Sequence, residues 1–146
     1  MAATPLEVVR ALYPQGRVDL AAPGVLDGWI AALTEVAHPD FIGGDPRAEL
    51  LPITSDPEDF ARVWREWLSA WETWRVDILG YEEGAPGRVL VDMQIEARSK
   101  KDSVPMPRRG ANVVHVEDER IKRIELYFDR EAARLSAGLG AEPRSG

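Results

Sequence analysis

The sequence predicts an α+β fold, a curved and mainly antiparallel sheet packed on helices around an apolar pocket. Three observations carry that reading. Helical periodicities dominate the first half of the chain, and alternating, turn-separated strands dominate the second. Nothing alternates strand with helix, which argues against a doubly wound parallel sheet. One helix carries Trp64, Trp67 and Trp71 on a single stripe, and so wide an apolar surface needs a sheet to cover it.

The elements follow in order. Pro5 to Leu12 reads as a helix with Leu6, Val9 and Tyr13 on one side and Thr4 placed to cap it. Pro14-Gln15-Gly16 ends it, and Leu20 to Gly24 is a connector. Val25 to Ala37 repeats apolar residues at helical spacing through Leu26, Trp29, Ile30, Leu33 and Val36. His38 to Ile53 holds three prolines and the pair Gly43-Gly44, so the expectation there is a short strand around Phe41-Ile42 within loop. Asp56 then stands at an N-cap with Pro57 at the first helical position, where a missing N–H removes no bond. Glu58 and Asp59 face the positive end of the helix dipole. Phe60, Val63, Trp64, Trp67, Leu68 and Trp71 form the apolar stripe.

Strands come next. Trp74 to Tyr81 sets Trp74, Val76 and Ile78 against Arg75 and Asp77, with Leu79 and Tyr81 making the second face partly apolar. After a turn at Glu82 to Gly87, Arg88 to Arg98 alternates Val89, Val91, Met93, Ile95 and Ala97 with Asp92, Gln94, Glu96 and Arg98. Val104 to Glu117 carries two early prolines and pairs from Gly110 onward. Asp118-Glu119 turns into a last strand, Arg120 to Phe128. Asp129 caps a closing helix, Arg130 to Ala137, that stops at Gly138. Residues 1–139 read as one domain and 140–146 as a frayed tail.

Composition narrows the function classes. A formal charge of −7, with only a short basic cluster from Arg98 to Lys101 and at Arg108-Arg109, argues against nucleic acid as a partner. No basic-then-apolar leader opens the chain and no run approaches the ~20 apolar residues of a membrane span, so neither secretion nor a membrane is expected. The absence of cysteine is compatible with a cytoplasmic protein and removes thiolate chemistry. Two histidines without metal-ligand spacing imply no metal, and no cofactor motif is present.

Three stretches resemble the SnoaL-like branch of the NTF2-like superfamily, the ketosteroid isomerase-like α+β cone. They are His38-Pro39-Asp40, the helix Phe60 to Trp71 running into a strand, and the closing hairpin from Gly110 to Val116 and Arg120 to Ala132. The last ends in Tyr127-Phe128-Asp129-Arg130-Glu131-Ala132. The resemblance spans Glu7 to Leu139 and implies a small apolar ligand and a homodimer formed through the outer sheet face, where Leu79, Tyr81 and Val113 stand. The superfamily holds isomerases, polyketide cyclases and proteins that bind without reacting, so fold leaves function open.

Candidate residues divide accordingly. By its spacing from Asp40, Asp45 is similar to the aspartate base of the isomerases, and desolvation would raise its proton affinity. Gly43-Gly44-Asp45-Pro46 is equally a turn in which Asp is favoured on its own account. Asn112 aligns with the isomerases' oxygen-binding acid and can donate to a developing oxyanion, or can be a structural amide. The tyrosine donor of their first helix is matched by Leu12. Tyr13, one residue on, would be rotated by about 100° if the helix continued. Tyr13 and Tyr127 are supplementary donors. Trp29, Trp64, Trp67, Met93, Val114 and Tyr127 are the expected ligand contacts, though helical spacing assigns most of the tryptophan stripe to the core. His38 reads as structural, bonding its loop. Glu96 and Arg98 read as solvated charges on one strand face.

Overall fold

The computed structural model describes residues 3–47, 51–101 and 106–140. In chain order the elements are α1 (Pro5–Leu12), β1 (Gly16–Asp19), α2 (Val25–Val36), β2 (Ala37–Gly44), α3 (Pro57–Leu68), β3 (Trp71–Glu83), β4 (Arg88–Ser99), β5 (Met106–Glu117), β6 (Arg120–Tyr127) and α4 (Arg130–Ala137). The strand start read at Val104 and the tail beyond Gly140 lie outside the described residues.

Caps set the helix starts. The Thr4 hydroxyl accepts the Glu7 N–H while the Glu7 carboxylate accepts the Thr4 N–H, a reciprocal box at 3.2 Å each way. Asp56 accepts from Asp59 N–H at 2.8 Å ahead of α3, and Asp129 from Ala132 N–H at 3.2 Å ahead of α4. Without such a side chain, α2 begins from Gly24 in the left-handed region at φ 79°.

The six strands form one curved, unclosed sheet in the order β1-β3-β4-β5-β6-β2. Every pairing is antiparallel except β2 with β6. Helices α1, α2 and α3 cover the inner face, where Val9, Leu33, Phe41 and Phe60 are essentially inaccessible. Burying a side chain of this size contributes about 2–3 kcal/mol, so this face carries most of the stability.

Four readings of the sequence need correction. Two strands at the sheet edges differ from expectation. β1 lies between the helix stop at Pro14-Gln15-Gly16 and the connector read from Leu20, where no strand was expected, with Val18 as its only large apolar residue. β2 runs eight residues despite Pro39, because its register to β6 breaks between Ala37 and Ile42 and the proline falls in that break, where no ladder bond is needed. The apolar stripe of α3 stops early. Ser69 caps the helix, and Trp71 opens β3 while still packing 5.1 Å from Trp74 and 5.8 Å from Trp67 between ring centroids.

The outer face also differs. Val113 is fully buried beneath α4 with Leu90, Ala111, Ala133 and Ala137. Tyr81 packs on the inner core, and Leu79 alone of the three is exposed. The residues expected to form a shared apolar patch therefore point three different ways. The seat of α4 is tight: Ala85 N–H donates to the Ala137 carbonyl at 2.8 Å, and a Cβ on Gly84 would lie 1.9 Å from that oxygen.

A buried carboxylate sits under the same helix. Glu125 accepts from the Tyr127 hydroxyl at 3.1 Å and from the Ser136 hydroxyl, and it forms an ion pair with Arg123 Nε at 2.9 Å, with His115 Nε2 at 3.5 Å. Burial pushes its carboxyl upward, but His115, Ser136 and Arg123 together outweigh that and hold it at about 2. Among the described residues no helix is long and apolar enough to cross a membrane, and no three metal-ligating side chains cluster.

Candidate functional site

A cavity of about 220 Å³ lies between α1, α2, α3 and the inner face of the sheet. Its walls are apolar: Leu12, Leu26, Trp64, Trp74, Met93 and Leu126 among others. Exposed Pro14, Gly16 and Val18 and half-buried Val25 and Trp29 also line it, so it opens between β1 and α2. No charged side chain belongs to its described lining.

Two polar groups meet inside. Asn112 sits on β5 opposite Val91 and Leu126, both inward-facing, so its amide points where those side chains point. Its Nδ2 donates to the Tyr13 hydroxyl at 3.0 Å. Tyr13 reaches that position because α1 ends there. It is the C-cap, with φ −121° and ψ 70°, so the helical rotation from Leu12 does not apply. Its ring lies 5.5 Å from that of Trp29, whose Nε1 donates to the Leu12 carbonyl at 3.0 Å. The Tyr13 carbonyl accepts from the Tyr81 hydroxyl.

The chemistry of this pair follows from its burial. Burial pushes the Tyr13 phenol well above the usual tyrosine range, while the Asn112 bond pulls weakly the other way. The phenol therefore stays protonated. Its oxygen accepts from Asn112, and its own O–H donates to no acceptor among the described residues, leaving a donor for an oxygen placed in the cavity.

Of the residues the sequence singles out, Trp29, Trp64, Met93, Asn112 and Tyr127 line the cavity, whereas Asp45, Trp67 and Val114 do not. Val114 faces inward but is fully packed. Trp67 stands edge-on to Trp74 at 5.6 Å, within a cluster that also holds Trp64 and Trp71. Tyr127 touches the cavity while its hydroxyl is committed to Glu125 under α4. Asp45 is buried in the turn after β2, with Oδ1 accepting Arg47 N–H at 2.8 Å and its own N–H donating to the Leu51 carbonyl at 3.1 Å. The Asp45 carboxylate and the Asn112 amide thus do not converge.

The remaining candidates hold the frame. His38 Nδ1 accepts the Asp40 N–H at 3.0 Å within the register break of β2, and Nε2 lies 3.4 Å from Glu117. Glu96 pairs across the ladder with Arg75 at 3.6 Å, half-exposed. The sequence places Tyr81 on the outer face and offers Tyr13 only as a supplementary donor. The signal for Tyr13 was present: Pro14-Gln15-Gly16 directly after it marks the helix end.

The SnoaL-like domain profile matches residues 22–124, most of the chain. The chain belongs to the SnoaL-like family. No functionally curated protein shows significant similarity to this SnoaL-like domain. Among solved structures it is similar to an NTF2-like protein from Burkholderia thailandensis, at 15% identity and TM-score 0.69, covering 92% of this chain and 97% of that one. It is similar to TerC co-crystallised with polyporic acid, at 18% identity and TM-score 0.66, with 89% and 95% covered. A hypothetical protein of ketosteroid isomerase-like fold from Catenulispora acidiphila, in complex with trimethylamine, aligns at 17% identity and TM-score 0.63 over 97% and 100%. At these identities the likeness establishes the NTF2-like fold.

Proposed function

We propose that this SnoaL-like domain binds a small, neutral, mostly apolar molecule bearing one acceptor oxygen, such as a carbonyl, in its inner cavity. The observation that carries this is the Tyr13–Asn112 pair, a protonated phenol whose O–H meets no acceptor among the described residues, in a cavity whose described lining holds no charged side chain. A cavity of about 220 Å³ lies between the ~150 Å³ that accepts a benzene and the ~300 Å³ at which drug-sized pockets begin. That volume suits a ligand of one or two rings. The ligand complexes of TerC and of the Catenulispora protein are consistent with small-molecule binding in this fold.

A cofactor-independent isomerase or cyclase would use the same donor against charge developing on the carbonyl oxygen. It would also need a base beside the bound molecule. The described lining supplies no carboxylate, histidine or lysine, which favours binding without turnover.

Acetophenone and ethylbenzene, nearly equal in shape, separate these readings. Calorimetric titration is expected to show the ketone binding about tenfold more tightly than the hydrocarbon, and Tyr13→Phe reducing that ratio to near one. Failure of both probes to bind, or an unchanged ratio in Tyr13→Phe, overturns the proposal. NMR of the acetophenone methyl in deuterated water tests turnover. Accelerated exchange that disappears in Asp45→Asn would restore the isomerase reading.

A further inference from the structure

The ladder between β3 and β4 changes parity twice, and the second change, between Ile78 and Gly80, falls beside the cavity. Val76 faces Ile95 and Ile78 faces Met93, both inner-face pairs. Simple alternation would next set Gly80 inward opposite Val91 and turn Tyr81 outward. Instead Gly80 pairs with Asp92 and Tyr81 with Val91, so Leu79 is the extra residue of a bulge. Leu79 is left exposed, and Tyr81 is carried to the inner side, where it packs on the core.

There its hydroxyl donates to the carbonyl of Tyr13. That carbonyl belongs to a helix C-cap and has no intrahelical partner, so its direction is otherwise free. The same corner is tied down twice more, by Gln15 Nε2 donating to the Leu79 carbonyl at 3.3 Å and by Gly16 pairing with Ile78. The Arg10 guanidinium lies 5.5 Å over the Tyr81 ring and closes the solvent side.

We propose that Tyr81 is a positioning residue: the bulge at Leu79 turns it inward, and its hydroxyl fixes the Tyr13 carbonyl so that the Tyr13 phenol stays aimed at Asn112. Its effect on ligand selectivity rests on the cavity-binding reading above; its effect on the Tyr13–Asn112 bond does not.

Tyr81→Phe tests both, since it keeps the ring and removes only the donor. In the ligand-free protein the side-chain amide signal of Asn112 is expected to move most of the way to its position in Tyr13→Phe. In titrations the acetophenone-to-ethylbenzene ratio should fall about fivefold while ethylbenzene affinity changes less than about twofold. In a Tyr13→Phe background, Tyr81→Phe should leave the ratio unaltered, because its effect passes through Tyr13. An unmoved Asn112 signal, with only a lower Tm, would make Tyr81 a packing residue and overturn the inference. Should neither probe bind the wild type, the binding reading fails and the amide signal still decides the role of Tyr81.

Discussion

The two faces of the sheet bury polar groups in opposite ways. Under α4, Glu125 is surrounded by four partners: Tyr127, Arg123, Ser136 and His115. In the inner cavity, Tyr13 and Asn112 have each other and, among the described residues, leave a phenolic donor over. A buried charge held by several partners fixes a structure, and a neutral pair with an open position waits for a further partner. The charged residue is thus the architectural one here, and the neutral pair is the candidate for function.

Three perturbations sharpen that contrast. The largest effect is expected from Glu125→Leu, which strands Arg123, Ser136 and Tyr127 beneath α4. Urea unfolding should show a loss of about 3 kcal/mol, and far less would mean the cluster is dispensable. Acid titration comes next. The Glu125 carboxyl is held at about 2 against an ordinary 4.5, so its contribution is complete above pH 4.5 and is lost as pH falls through about 2. The urea midpoint should drop across that window in wild type, and Glu125→Gln should flatten the drop. The smallest effect belongs to the inner face. Tyr13→Phe combined with Asn112→Leu removes both partners together and should alter stability by less than about 1 kcal/mol while abolishing ketone preference. A large destabilisation there would recast the pair as structural.

The split between the faces also explains what the sequence reveals. The four helices, the hairpin-connected strands and the inward alternation of Val89 to Ala97 follow from local periodicity and capping, and the structure reproduces them. Features set by pairing partners were hidden. A bulge leaves no local mark, so Tyr81 reads as outward-facing although its ladder turns it in. Four-residue β1 has too little pattern to announce itself, and Pro39 hides a parallel strand whose break accommodates it. Trp71 satisfies helical spacing and strand packing alike, so periodicity cannot choose between them. Asp45 and Asn112 are each legible as polar residues near apolar ones. Whether they share a cavity depends on the path of the chain after Gly44.

That path has a consequence for how the protein is made. Both edges of the sheet, β1 and β2, come from the first third of the chain, whereas their partners β3 and β6 come from the middle and the last third. A chain emerging from the ribosome N-terminus first holds α1, β1, α2 and β2 without the strands they pair with. The β3–β6 meander, joined by consecutive hairpins, can form on its own local contacts, but the parallel closure of β2 on β6 spans more than half the sequence and must follow it. Since α1 and α2 supply one wall of the cavity, the cavity is complete only once the first third of the chain has docked on that meander.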